Sequence, residues 1–231
     1  MTDLPNPVRA ERRDVLRLAS TRAVSDRAAT EFPGCVPVHR AIVGIDVVNS
    51  SVRVNPAKGL LRHRMHGILE EALSASGITD QKRDAVVDRG DGALVLVRPL
   101  DEVPKTVLLA EVVPALEHLL AEHNTRDPRH GFQLRVAVHA GEVHHDRWGP
   151  FGESLDLTCR LLDAPVLKAT LADVDVPLAL VVSDDFYRSV VRHGYDDVDS
   201  TPFTPLVRVE VAGASHAGWI RDVRPASPAG W

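Results

Sequence analysis

Apolar and polar positions along the chain alternate between two periods. Residues 38–48, VHRAIVGIDVV, form an apolar run of high β propensity and read as a central strand. After Pro56, Leu61, Met65, Ile68, Leu69 and Leu73 recur at helical spacing, and Gly77 supplies the stop. Apolar stretches at 85–87 and 93–97 flank the cluster Asp88-Arg89-Gly90-Asp91-Gly92, which is a hairpin signal. A second helix is predicted from Thr106 to about His123, with Leu109, Val113, Leu116 and Leu120 on one face and a bend at Pro114. Residues 133–143 alternate as a third long strand, and 154–167 read as a third helix. A strand at 178–182, a helix at 184–192 and two strands near 207–211 and 219–223 complete the pattern. The order β-α-β-β-α-β with further α and β predicts an α/β (α+β) fold, a ferredoxin-like core with C-terminal additions.

Ahead of this pattern, residues 1–37 are polar and punctuated by Pro5, Pro7, Pro33 and Pro37. They read as a mobile arm with helical turns around 15–28. The folded domain spans 38–223, and 224–231 form a flexible tail. No internal repeat is visible, and 231 residues suit one domain.

Composition narrows the function. A net charge of −5 argues against a general nucleic-acid binder, which needs a basic surface. No run approaches the ~18 apolar residues of a membrane span, and the N-terminus has no signal-peptide core. Cys35 and Cys159 have no paired spacing and read as reduced thiols, which places the protein in the cytoplasm.

Asp46 ends a buried strand in GIDVVNSS, where an unpaired charge is costly. The small residues after it can turn backbone N–H groups toward an anion. Asp91 lies at the hairpin tip. In a split βαβ unit the hairpin's first strand is expected beside strand one, which brings the two carboxylates within reach of one metal. At ~4 Å apart they would repel by about 4 kcal/mol at an effective dielectric of 20, and a divalent cation reverses that sign. Oxygen-only ligation suits Mg²⁺ or Mn²⁺. Alone, each aspartate also reads as an ordinary strand-end or turn residue.

Four stretches in order, GIDVVNSS, DRGDG, LRVAVHAGEV and GESLDLTCRLLDAP, resemble the catalytic domain of class III nucleotide cyclases over about 38–223. The resemblance implies a homodimer with active sites at its interface. It implies that Asp46 and Asp91, with the Val47 carbonyl, hold two Mn²⁺ or Mg²⁺ ions. It places the nucleoside triphosphate against Val43, Val47, Val48, Asn49 and Ser50. Arg160 matches the arginine that stabilises the reacting phosphate from the other subunit, and Asp156 joins it in the catalytic set. The reaction is attack of the ribose 3′-oxygen on the α-phosphorus, with pyrophosphate leaving.

The departures bear on the substrate. Purine-specific members carry a lysine where this chain has Val87, a polar base reader where it has Gly149, and an asparagine where it has Asp156. Arg89 shares a face with Asp91 if strand pairing persists to the tip, and would read the base or the triphosphate. This pattern resembles the pyrimidine cyclases of the Pycsar anti-phage systems, whose cyclic UMP or cyclic CMP activates a separate effector. An adenylate or guanylate cyclase and a non-catalytic triphosphate sensor remain the alternatives. His139, His144 and His145 do not share one strand face, so a zinc site is disfavoured. Neither a G-x-S-x-G elbow nor a Walker motif is present.

Overall fold

The computed structural model describes residues 36–171, 174 and 176–222. The expected helical turns at 15–28, the tail at 224–231 and all of the arm except residues 36 and 37 lie outside them. The elements run β1 (Val38–Val47), α1 (Asn55–Ala75), β2 (Val87–Asp88), β3 (Gly92–Val97), α2 (Val113–Arg126), β4 (Leu134–Asp146) and β5 (Gly149–Phe151). There follow α3 (Glu153–Asp163), α4 (Pro165–Thr170), β6 (Leu178–Ser183), α5 (Asp184–Ser189), β7 (Phe203–Val211) and β8 (Ala214–Arg221).

The strands form one sheet in the order β2-β3-β1-β4-β6-β8-β7, with β5 paired to β4 off this path. Only the β4–β6 pairing is parallel. The first four strands reproduce the expected ferredoxin-like core. One detail differs from the sequence expectation: β3, the second strand of the hairpin, lies beside β1, and β2 lies at the edge. β3 is apolar on both faces and fully buried, whereas the short β2 carries a half-buried valine and an exposed aspartate. Burial therefore draws β3 into the interior position.

Side-chain alternation along β1 divides the core. Ala41, Val43, Ile45 and Val47 join Leu61, Met65, Leu69 and Leu73 of α1 and Leu116 and Leu120 of α2 on one face. Ile42, Gly44 and Asp46 occupy the other, which α3 covers with Leu155, Leu157, Leu161 and Leu162. Gly44 permits this approach, since a Cβ there would lie 2.9 Å from both Leu162 Cδ1 and Thr158 Cγ2. α1 stops as its sequence indicates: Gly77 has φ 67°, and the Ile78 N–H reaches back to the Leu73 carbonyl at 2.8 Å.

Two proline effects refine the expected helices. Pro114 cannot donate to the turn before it, and the helix enters through a π-helical turn, Leu108–Val112, rather than a simple bend. Pro165 divides the predicted 154–167 helix into α3 and α4, because the residue before a proline avoids the helical region; Ala164 is extended, with ψ 127°.

Candidate active site

β1 ends between two neighbours, with Asp46 opposite Gly92 of β3 on one side and Arg135 of β4 on the other. Gly92 has a steric reason for being glycine: a Cβ there would sit 2.4 Å from the Ile45 carbonyl oxygen. The hairpin closes through Arg89 N–H to the Gly92 carbonyl at 2.9 Å, leaving Gly90 and Asp91 as a two-residue loop. Gly90 has φ 87°, as the first position of a type II′ turn demands. The Val47 N–H donates to the Asp91 carbonyl at 2.9 Å and fastens this tip to the end of β1.

Beyond β1 the chain reverses through Asn49, held left-handed at φ 57°, into a short 3-10 turn, Ser50–Val52. That reversal buries Ser50 and lets its hydroxyl donate to the Asp91 carboxylate. The resulting cavity has a volume of about 330 Å³ and holds three carboxylates, Asp46, Asp91 and Asp163, beside three cations, Arg89, Arg135 and Lys168. Asn49 and Ser50 also line it.

The electrostatics centre on Asp46. Burial raises its pKa above the ordinary carboxylate value, and the ion pair with Arg135 opposes that shift. The negative charges of Asp91 and Asp163 raise it further. A carboxylate that remains hard to ionise despite an arginine partner has room for more positive charge. Among the described residues no group of three or more His, Cys, Asp or Glu side chains converges as a metal site. A cation here would therefore depend on two carboxylates, backbone oxygen and the oxygens of a ligand. Those hard donors fit Mg²⁺ or Mn²⁺.

Of the residues singled out in the sequence, Asp46, Val47, Asn49, Ser50, Arg89 and Asp91 meet at this cavity. Val43 does not: its side chain has no exposure and packs in the core between the sheet and α1, because it alternates to the opposite face from Asp46. Val48 packs against the α3–α4 side of the sheet and borders a separate cleft. Arg160 and Asp156 are exposed on α3, one turn apart, and neither lines the cavity; Leu162 and Asp163 are what α3 contributes. Val87 packs among Ile42, Leu94 and Leu155. Gly149 faces open space, where a Cβ would meet nothing within 4 Å.

Arg89 reaches across to α3, with Nη1 3.0 Å from Cys159 Sγ. The three histidines separate: His139 meets Ser183, His144 stacks on Phe151 at 5.3 Å, and His145 lies 3.2 Å from Asp84.

Three cavity residues escaped the sequence reading. Arg135 left a signal, as a charge inside the apolar strand LRVAV. Asp163 and Lys168 left none, since their convergence depends on the break at Pro165.

No protein-family profile and no curated protein matches the sequence. Solved structures do match the fold, which is that of class III nucleotide cyclase catalytic domains. An adenylate/guanylate cyclase/hydrolase from Silicibacter pomeroyi superimposes with a TM-score of 0.56 at 18% identity, covering 81% of this chain and 98% of that one. The adenylyl cyclase CyaB from P. aeruginosa gives 0.56 at 13% identity, covering 82% and 96%. The guanylate cyclase domain from Catenaria anguillulae, solved with GTP, gives 0.50 at 14%, covering 80% and 97%.

Proposed function

We propose that this protein is a nucleotide cyclase that converts a pyrimidine nucleoside triphosphate, UTP or CTP, into its 3′,5′-cyclic monophosphate and pyrophosphate. The observation that carries the reading is the meeting of Asp46 and Asp91 in one carboxylate-rich cavity of a cyclase fold. The 3′-oxygen forms its bond to the α-phosphorus, the bond from that phosphorus to pyrophosphate breaks, and the hydroxyl proton passes to solvent. Asp46, Asp91 and the Val47 carbonyl would hold two Mn²⁺ or Mg²⁺ ions, which acidify the hydroxyl and neutralise developing charge when bound.

The remaining roles follow from position. Ser50 orients the Asp91 carboxylate. Arg135, Arg89 and Lys168 supply positive charge where the triphosphate must lie, and planar guanidinium groups favour bidentate phosphate contacts. Arg160, turned away from this cavity, serves the active site of a second copy in a homodimer. Val87 and Gly149 offer no polar side chain to a purine, which supports the pyrimidine assignment. The product then acts on a separate effector, as in anti-phage signalling. Among the described residues no helix is long and apolar enough to cross a membrane.

The test is incubation with each of the four nucleoside triphosphates and Mn²⁺, with products identified by mass spectrometry. Cyclic UMP or cyclic CMP is the expected product. Dominant cyclic AMP or cyclic GMP would remove the pyrimidine assignment and keep the cyclase; no cyclic product from any substrate would sink the enzyme.

A further inference from the structure

Asp91 occupies a loop carried by a short edge strand. β2 contributes the pairs Val87↔Leu94 and Asp88↔Ala93, and the Arg89 N–H closes the hairpin on the Gly92 carbonyl at 2.9 Å. On the β1 side the tip is tied through Val47 and Ser50. On the other side α1 reaches over it. Both terminal nitrogens of Arg62 donate to the two oxygens of the Asp88 carboxylate, and Nη1 also donates to the Gly90 carbonyl at 2.9 Å. Asp88 Oδ1 accepts the Gly90 N–H at 3.0 Å, and His66, one turn along α1, lies 3.5 Å from the same oxygen.

These contacts converge on the residue next to Asp91. We infer that Arg62 is a positioning residue, whose grip on Asp88 and Gly90 sets Asp91 at the distance from Asp46 that a divalent cation requires. The inference rests on the reading of Asp91 as a metal-holding carboxylate. Three features support it. The side chains of Arg62 and Asp88 are 40% and 45% exposed, and an ion pair that open contributes little to stability. Its effect is therefore on geometry. The Asp88 carboxyl is held well below the usual range, by Arg62 first and by the Gly90 N–H second, so the grip persists into acid. A guanidinium fork fixes direction as well as distance, which a lysine ammonium cannot.

The probe is Mn²⁺ alone, titrated into the full-length chain and followed by its paramagnetic resonance signal, with thermal melting alongside. Arg62→Gln should weaken Mn²⁺ binding by about tenfold, the usual scale for removing a group that orients a ligand, with little change in melting temperature. Arg62→Lys should restore little of this. Asp88→Asn removes the same clamp from its other half, so it should show a similar loss, and the double variant should lose no more than either single. Folded Arg62→Gln and Asp88→Asn proteins that bind Mn²⁺ like the wild type would overturn the clamp. Failure of the wild type itself to bind Mn²⁺ is a different result: it removes the metal reading of Asp91, and the clamp with it.

Discussion

His139 shows how much one side chain can depend on its surroundings. It is 5% exposed on β4, with Nδ1 2.8 Å from Ser183 Oγ, and Ser183 caps α5 by accepting the Phe186 N–H. Burial lowers its pKa from 6.5 to about 4; Asp185 opposes the shift, while His216, His39 and Lys105 add to it. The folded chain thus keeps His139 neutral where the unfolded chain has already taken a proton. Its stabilisation is complete above pH 6.5 and is lost as the pH falls through about 4. At ~1.4 kcal/mol per unit this amounts to roughly 3 kcal/mol across that window. His139→Gln should lose much less melting temperature than the wild type between pH 7 and 4, with chelator present. Equal acid sensitivity in the two proteins would exclude His139 as the source. Asp46 carries the opposite kind of cost, being a carboxylate held by one arginine in a cavity that disfavours its charge.

The hairpin between β2 and β3 is where two glycines do different things. Gly92 lies against β1, so the Cβ of Gly92→Ala would meet the Ile45 oxygen at 2.4 Å and force the start of β3 away from Asp46. Gly90→Ala meets nothing within 4 Å and suffers only its φ of 87°. The first change should cost about 1–3 kcal/mol and strongly reduce cyclase turnover; the second should cost about 1 kcal/mol. Denaturant melts and product assays on the two variants check this, and a larger loss for Gly90→Ala would refute the close-packing account. The sequence made β1 legible through its apolar run, and the hairpin through the DRGDG cluster. It did not show which hairpin strand would pair with β1, because that depends on the burial of both faces of β3. Arg135 stood out as a charge in an apolar strand, but its partner was hidden for a related reason. Its partnership with Asp46 is a matter of register between strands 89 positions apart, and periodicity within either strand does not reveal register. Asp163 and Lys168 depend on how Pro165 redirects the chain, which local pattern does not give.

At the scale of the whole molecule, the question is how one chain uses both halves of its proposed chemistry. Asp46 and Asp91 line their cavity from the sheet, while Arg160 and Asp156 project from the exposed face of α3 and do not line it. α3 cannot turn to present them: Leu155, Leu157, Leu161 and Leu162 are buried along its other side, and Gly44 and Gly218 let it settle directly on the sheet. Burying four such leucines contributes roughly 1.5–3 kcal/mol each, far more than one arginine contact could offset by rotating the helix. On the proposed reading, Arg160 therefore acts on a phosphate held by another copy. Asp46→Ala and Arg160→Ala proteins, each inactive alone, should recover activity when mixed, because one of the two sites in a mixed dimer keeps both intact residues. Random pairing of equal amounts makes half of the dimers mixed, each with one working site, so the ceiling is about a quarter of wild-type turnover. Co-purification of an untagged Arg160→Ala subunit with a tagged Asp46→Ala subunit establishes that mixed dimers form. Mixed dimers without activity would count against a site shared between two subunits, whereas an active Arg160→Ala protein would remove Arg160 from the catalytic set.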